Sequence, residues 1–180
     1  PSRLVWQKGF DIVAGAWWDF LQRPLRMVVL GTGDHGIQEG LRHLQHRDPD
    51  RFSVRFAYDE GLAHKIMAGC DIFLMPSRSE PCGLTQMYAL RYGTVPVVRT
   101  TGGLADTVEP YDPAKGKGTG FRFDNPDGTG LLWAVDQALG AFRDRKGWTA
   151  LMKRGMAREF SWERSALEYV ELYRRAMGKV

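Results

Sequence analysis

The stretch DIFLMPSRSEPCGLTQMYALRYGTVPVV, residues 71–98, decides how this chain folds. Residues 71–75 are an apolar run of strand length, and 76–83 form a loop opened by Pro76 and closed by Gly83. A helix is expected from about Leu84 to Tyr92, and 95–98 is apolar again. Strand, loop, helix and strand in that order make a crossover unit, the device that joins parallel strands. The same alternation continues outward. Toward the amino end it predicts a strand over 52–57 and a helix over 60–67. Before them come a strand over 25–30, a glycine turn over 31–36 and a helix to about Gln45. Toward the carboxyl end it predicts a turn at Gly102 and Gly103, a loop over 110–118 and a strand over 119–123. A helix then runs from Asp127 to about Arg143.

The first helix follows Lys8, with Phe10, Val13, Ala14, Trp17 and Leu21 at helical spacing, and Pro24 ends it. Two helices close the chain. The last has Ser161 as its N-cap and Trp162, Ala166, Tyr169, Val170, Tyr173 and Met177 on one face. The alternation predicts one α/β domain over 1–180, with a Rossmann-like, doubly wound parallel sheet. No repeat, low-complexity stretch or linker divides it.

Composition agrees. Of the 180 residues 43% are hydrophobic and 12% aromatic, enough for a core and too many for a disordered chain. No apolar run is long enough to span a membrane, and no signal-peptide pattern opens the sequence. The formal charge of +4 is modest, and dispersed Lys and Arg argue against nucleic acid as a partner. Two cysteines, Cys70 and Cys82, are too few for a four-ligand zinc site, and reduced thiols in the cytoplasm are expected. His35, His43, His46 and His64 lack metal-ligand spacing and read as surface or core residues. His64 stands out because it is placed at a helix start near Tyr58. Trp17 and Trp18 read as core packing.

Three segments carry candidate chemistry. GTGDHG, residues 31–36, matches the glycine fingerprint that lets a helix N-terminus receive a pyrophosphate. That reading needs an acidic residue ending the next strand; Asp48 and Asp50 come too early and Asp59 late, so a plain tight turn stays open. In SRLVWQKG, residues 2–9, a strand end passes into a helix. Arg3 and Lys8 there are either solvated surface charges or a pair of cations for a diphosphate. In MPSRSEPCGLTQ, residues 75–86, Glu80 stands beside the free N–H groups of a helix start at Gly83, Leu84, Thr85 and Gln86. Such donors suit an anion, and a carboxylate beside them is favourable where it meets hydroxyls.

The segment MPSRSEPCGLTQMYALRYGTVPVVRTTGGLADTV, residues 75–108, closely resembles the signature of bacterial glycogen synthases and plant starch synthases. SRLVWQKG resembles the same family's phosphate-binding turn, and AYDEGLAHKIMAGCDIFL, residues 57–74, resembles the segment between them. The likeness extends over essentially the whole chain and is weakest over 110–148. It implies the carboxyl-terminal half of a two-domain glycosyltransferase-B architecture, an enzyme moving glucose from ADP-glucose to the non-reducing end of an α-1,4-glucan with retention. Arg3 and Lys8 would hold the diphosphate, Glu80 the transferred glucose, and the N–H groups of Gly83, Leu84 and Thr85 the phosphate oxygens. Tyr58 would stack on adenine, with Cys82, Gly102 and Gly103 shaping the site and Gly31 and Gly33 near the nucleotide.

The resemblance implies no metal and no bound cofactor, with ADP-glucose and ADP as ligands. The α-glucan acceptor would bind through an amino-terminal domain absent from this sequence. It places the protein in the bacterial cytoplasm, or in the plastid of a plant. Two positions depart from the family pattern. Ser79 replaces an aromatic residue, which is expected to loosen packing behind Glu80. Tyr88 stands where many related transferases carry a second Glu for the ribose. The strand expected just before Ser2 is also absent, and in a doubly wound sheet that leaves an unpaired slot. A sucrose-synthase-like enzyme is a rival reading, against which the Glu-Pro-Cys-Gly-Leu-Thr loop and Tyr88 argue. A non-catalytic nucleotide-binding module and an NAD-dependent oxidoreductase are further alternatives.

Overall fold

Short apolar strands separated by helices pair in parallel, and this chain does so throughout. A computed structural model describes residues 1–178. Its elements run α1 (Phe10–Gly15), α2 (Trp17–Leu21), β1 (Met27–Leu30), α3 (His35–Arg47), β2 (Phe52–Arg55), α4 (Glu60–Gly69) and β3 (Ile72–Met75). Then follow α5 (Thr85–Tyr92), β4 (Val95–Arg99), α6 (Gly102–Thr107), β5 (Phe121–Phe123), α7 (Gly128–Phe142), α8 (Arg145–Met156) and α9 (Trp162–Ala176). Two ladders result, β1–β2 and β3–β4–β5, both parallel. In register Met27 faces Phe52, Ile72 faces Val95, and Val97 faces Phe121. The expected single sheet is therefore divided, with β1 and β3 flanking an open cleft.

Helices cover both faces. Val29 and Phe52 from the first ladder share one apolar cluster with Val95, Val97, Phe121 and Phe123 from the second. α1, α2 and α7 pack on that face through Ile12, Trp17, Phe20, Leu131 and Val135. The opposite face holds Met67, Phe73, Met75, Ala89, Val98 and Leu104, drawn from α4, α5 and α6 with β3 and β4. Because β4 is covered on both sides, its first four residues are all buried, the mark of a central parallel strand.

Four expectations change in the structure. The first helix breaks at Ala16, where the backbone leaves helical geometry (φ −94°, ψ 7°). Its buried face is Ile12, Val13, Ala16, Trp17 and Phe20, while Ala14 is exposed, so the stripe read from Phe10 and Leu21 is rotated. Gly102 and Gly103 begin a helix rather than a turn. Trp17 is core, edge-on to Phe52 with centroids 4.7 Å apart, but Trp18 is exposed beneath the Arg47 guanidinium. Ser161 occupies the N-cap position of α9 with extended backbone, yet its side chain makes no capping bond. The apolar face of α9 is present and uncovered: no residue of that helix is buried, and Trp162 is 82% exposed.

Candidate nucleotide-sugar site

The candidate residues gather at the carboxyl ends of the strands, where an open α/β sheet presents its loops. The turn at residues 6–9 and the loop at 76–83 are laced together there. Gly9 makes this possible: its φ of 73° suits glycine, and a Cβ on it would lie 2.0 Å from the Pro76 carbonyl oxygen. Across that contact the Arg78 N–H donates to the Gln7 carbonyl (2.8 Å), and the Gln7 amide donates to the Ser79 carbonyl (3.0 Å). Lys8 Nζ then reaches Glu80 Oε2 in an ion pair, with both side chains mostly buried. Ser77 Oγ, itself buried, donates to the same Oε2 at 3.3 Å. The structure thus joins two of the sequence candidates 72 residues apart.

A second set of contacts fixes the loop from behind. Arg99 donates from Nε to the Ser77 carbonyl at 2.7 Å and from Nη2 to the Arg78 carbonyl. The Gly103 N–H donates to the Glu80 carbonyl at 3.0 Å. A Cβ on Gly103 would lie 1.7 Å from the Cys82 carbonyl oxygen, and one on Gly102 2.3 Å from that of Glu80. Gln86, fully buried, donates from Nε2 to the carbonyls of Cys82 (3.2 Å) and Gly83 (2.9 Å) and to Thr107 Oγ1 (3.0 Å). With those carbonyls turned inward, the start of α5 carries no side-chain cap. By contrast Asp34, Asp59, Asp127 and Asp144 cap α3, α4, α7 and α8 with their carboxylates.

Gly103→Ala forces backbone against backbone, so the loop must move. The expected cost is about 1–3 kcal/mol of stability, read from the urea midpoint. An unchanged midpoint would show that residues 80–83 yield freely.

The glycine turn after β1 has another cause than a dinucleotide. A Cβ on Gly31 would meet the Ser2 carbonyl oxygen at 1.8 Å, and one on Gly33 the Leu4 carbonyl oxygen at 2.2 Å. Both glycines admit the close passage of residues 2–4, and the α3 N-terminus is already occupied by Asp34 Oδ1, which accepts from the Ile37 N–H at 3.0 Å. Arg3 lies exposed on that passing segment, without an ion pair among the described residues. Tyr58 follows β2 and is 92% exposed, the most open large side chain of the set. Cys82 and Leu84 are exposed, and Gly83 and Thr85 half-buried. Glu80 stays buried although Ser79 is small and exposed, because Lys8 and Ser77 hold its carboxylate instead of an aromatic neighbour. His64 lies within α4 rather than at its start, and its Nδ1 is 3.0 Å from the Tyr92 hydroxyl, a tie between α4 and α5.

Gln7, Ser77 and Arg99 were not among the candidates, and Gln86 was named only for its backbone N–H. Nothing in a single sequence marks a polar residue whose task is to hold another loop's carbonyls.

A family model described as glycosyl transferases group 1 matches residues 1–148. The chain belongs to this family. Among its relatives, a glycogen synthase of Anaeromyxobacter sp. (strain K) is 56% identical over 173 residues, which cover 96% of this chain and 36% of that protein. A glycogen synthase of Thermotoga petrophila is 51% identical over 180 residues, 99% of this chain and 37% of that protein. In structure, this glycosyl transferase domain matches the catalytic domain of starch synthase IV from Arabidopsis thaliana, solved with ADP and acarbose. That match has a TM-score of 0.86 and 35% identity, covering 98% of this chain and 37% of that one. The α/β architecture with parallel pairing is the one such transferases share, and the chain spans little more than a third of these relatives' length.

Proposed function

We propose that this chain is the donor-binding half of a glycogen or starch synthase. In it, ADP-glucose lies along the carboxyl edge between the 2–9 segment and the start of α5. The observation that carries the reading is the Lys8–Glu80 pair on the loop that leads into the uncapped start of α5, so a cation and a carboxylate sit next in sequence to free backbone N–H groups. The likeness to a starch synthase solved with ADP supports it.

In the reaction proposed, the bond between glucose C1 and the diphosphate oxygen breaks, and a bond from an acceptor glucan hydroxyl to C1 forms with retention. The hydroxyl proton passes to the departing diphosphate oxygen, and ADP leaves with the bonding electron pair. Lys8 has three N–H donors, so it can keep Glu80 and still reach a phosphate oxygen. Arg3 adds a second cation, and the N–H groups of Gly83, Leu84 and Thr85 face the oxygens on which charge grows. Those fixed donors serve where other transferases use a divalent cation, so no metal is assigned. Glu80, an acceptor held by Lys8 and Ser77, takes hydroxyls of the glucose. Cys82, Gly102 and Gly103 give the loop its shape, and Gly31 and Gly33 let Arg3 approach.

Calorimetric titration with ADP, UDP, ADP-glucose and UDP-glucose tests the reading. Binding of the adenine pair ahead of the uracil pair is the expected result. Binding of none of the four would overturn it, and tighter binding of UDP would move the donor to a uridine nucleotide.

Tyr58 is assigned to the base. Tyr58→Ala should weaken ADP binding by about 1–3 kcal/mol, the worth of one base–aromatic stack. A side chain 92% exposed makes little contact of its own, so thermal stability should hold. Tyr58→Phe should bind as well as the parent. Equal losses from the two substitutions would transfer the role to the hydroxyl.

A further inference from the structure

Outside the candidate donor site, a groove of about 430 Å³ opens where α1 and α2 meet the start of α7. That volume lies within the range of small-molecule sites, about 300–1,000 Å³. Its polar lining is Asp11 from α1, Asp19 from α2, Arg78 from the loop after β3, and Asp127 and Thr129 from the start of α7. Gly15 leaves one wall bare: a Cβ on it would meet nothing within 4 Å.

Arg78 joins this groove to the candidate site, since it stands two residues before Glu80. Its Nη2 donates to Asp11 Oδ2 at 2.6 Å, and its guanidinium carbon lies over the Trp6 ring, 4.7 Å from the centre. Nε is buried without a partner, and Nη1 has none among the described residues. Arginine presents a fork of donors, so unused N–H groups beside an open groove are bonds that a ligand can complete. Trp6 is 65% exposed, yet its turn is fixed: the Gly9 N–H donates to the Trp6 carbonyl at 3.0 Å, and Gln7 reaches Ser79. An exposed indole on a held turn offers a large flat face with little entropy left to lose.

The lining selects among ligand classes. Asp11, Asp19 and Asp127 repel a phosphate or carboxylate, and Arg78 alone does not offset them. Among the described residues no group of three His, Cys, Asp or Glu could hold a metal ion. An apolar ligand would bury these charges without partners. A neutral molecule rich in hydroxyls suits the groove, because it donates to the carboxylates and accepts from Arg78 and Thr129. The acceptors are free for it. Asp11 keeps Oδ1 while Arg78 takes Oδ2, and Asp127 keeps Oδ2 while Oδ1 accepts from the Gly130 N–H at 2.8 Å. The Asp19 carboxylate has no hydrogen bond among the described residues; only its backbone carbonyl accepts, from Arg23. A pyranose ring adds an apolar C–H face, which an indole can cover.

We propose that this groove is a glucan-holding subsite separate from the donor site. Glucose residues of an α-1,4-glucan hydrogen-bond to Asp11, Asp19, Asp127 and Arg78, and one ring stacks on Trp6. The choice of a glucose polymer among hydroxylated ligands rests on the glycogen or starch synthase reading above. The subsite keeps the glucan near the Glu80 loop and does not align the reacting hydroxyl with the donor.

The test is a titration of the 180-residue chain with maltoheptaose, followed through the NMR signals of its indole N–H groups. The Trp6 signal should shift, and that of Trp162, an exposed indole on α9, should stay. Trp6→Ala should weaken maltoheptaose binding by roughly fivefold, the worth of one aromatic contact. Gly15→Phe fills the bare wall and should abolish binding while Tm holds. A Trp6 signal that does not move, or affinity unchanged by both substitutions, would overturn the subsite. ADP titration of the parent chain separates this idea from the donor site. Maltoheptaose binding without ADP binding leaves the groove standing and removes the donor site; ADP binding with an unmoved Trp6 signal does the reverse.

Discussion

The isolated chain, given ADP-glucose and glycogen, is expected to bind the nucleotide and incorporate no labelled glucose. On the proposed reading Lys8 and the start of α5 hold a leaving diphosphate and Glu80 the glucose, but transfer also needs an acceptor hydroxyl held in line with the anomeric carbon. Arg3, Tyr58 and Leu84 on the carboxyl edge are exposed, and the chain spans only 36% of the Anaeromyxobacter relative. We assign the acceptor surface to polypeptide outside these 180 residues. Positioning of that kind is worth about 7–11 kcal/mol of barrier. At about 1.4 kcal/mol per tenfold, its loss slows transfer by roughly five to eight powers of ten. The measurement is incorporation of radiolabelled glucose by the purified chain, beside calorimetry showing that ADP still binds. Incorporation near the rate of a full-length synthase would refute both the half-site assignment and the placing of the acceptor elsewhere.

How much of this could be read beforehand depends on which physical signal each feature leaves. The parallel alternation was legible because strand and helix periods differ, and the bounds of β1 to β5 fall within two residues of expectation. The break at Ala16 follows Gly15, a residue helices disfavour, and Trp17 just beyond it packs edge-on against Phe52, a contact no periodicity announces. Gly102 and Gly103 looked like a turn because glycine disfavours helices. Here they open α6 because nothing larger fits beneath the carbonyls of Glu80 and Cys82. The amphipathic stripe of α9 was legible as a stripe, but periodicity says which face is apolar and nothing about what covers it. At the site, loop chemistry singled out Glu80 and Lys8 separately. Their contact across 72 residues is a product of the Gly9–Pro76 packing, which no spacing rule contains. The glycine fingerprint shows the converse: the pattern was real, but the passage of Ser2 to Leu4 explains it.

The ion pair at the centre of the site gives the second large effect. Lys8→Ala removes one cation and leaves the Glu80 carboxylate, only 8% exposed, without its partner. Lys8 is also proposed to reach a phosphate oxygen, and removing one partner of a desolvated charged contact to a ligand costs about 2–5 kcal/mol of binding. ADP affinity should therefore fall at least thirtyfold at roughly 1.4 kcal/mol per tenfold. Adenosine, which brings no charge, should bind nearly as before. Arg3→Ala should act in the same direction but less, because Arg3 is exposed and screened by solvent. Each substitution should also flatten the dependence of ADP binding on ionic strength. Glu80 supplies the decisive comparison. If the damage in Lys8→Ala comes partly from a bare carboxylate facing the diphosphate, adding Glu80→Gln must restore part of the lost affinity. If Lys8 instead only props the 76–83 loop, the double variant should bind ADP no better than Lys8→Ala alone. Adenosine and ADP would then weaken together, and the phosphate role of Lys8 would be wrong.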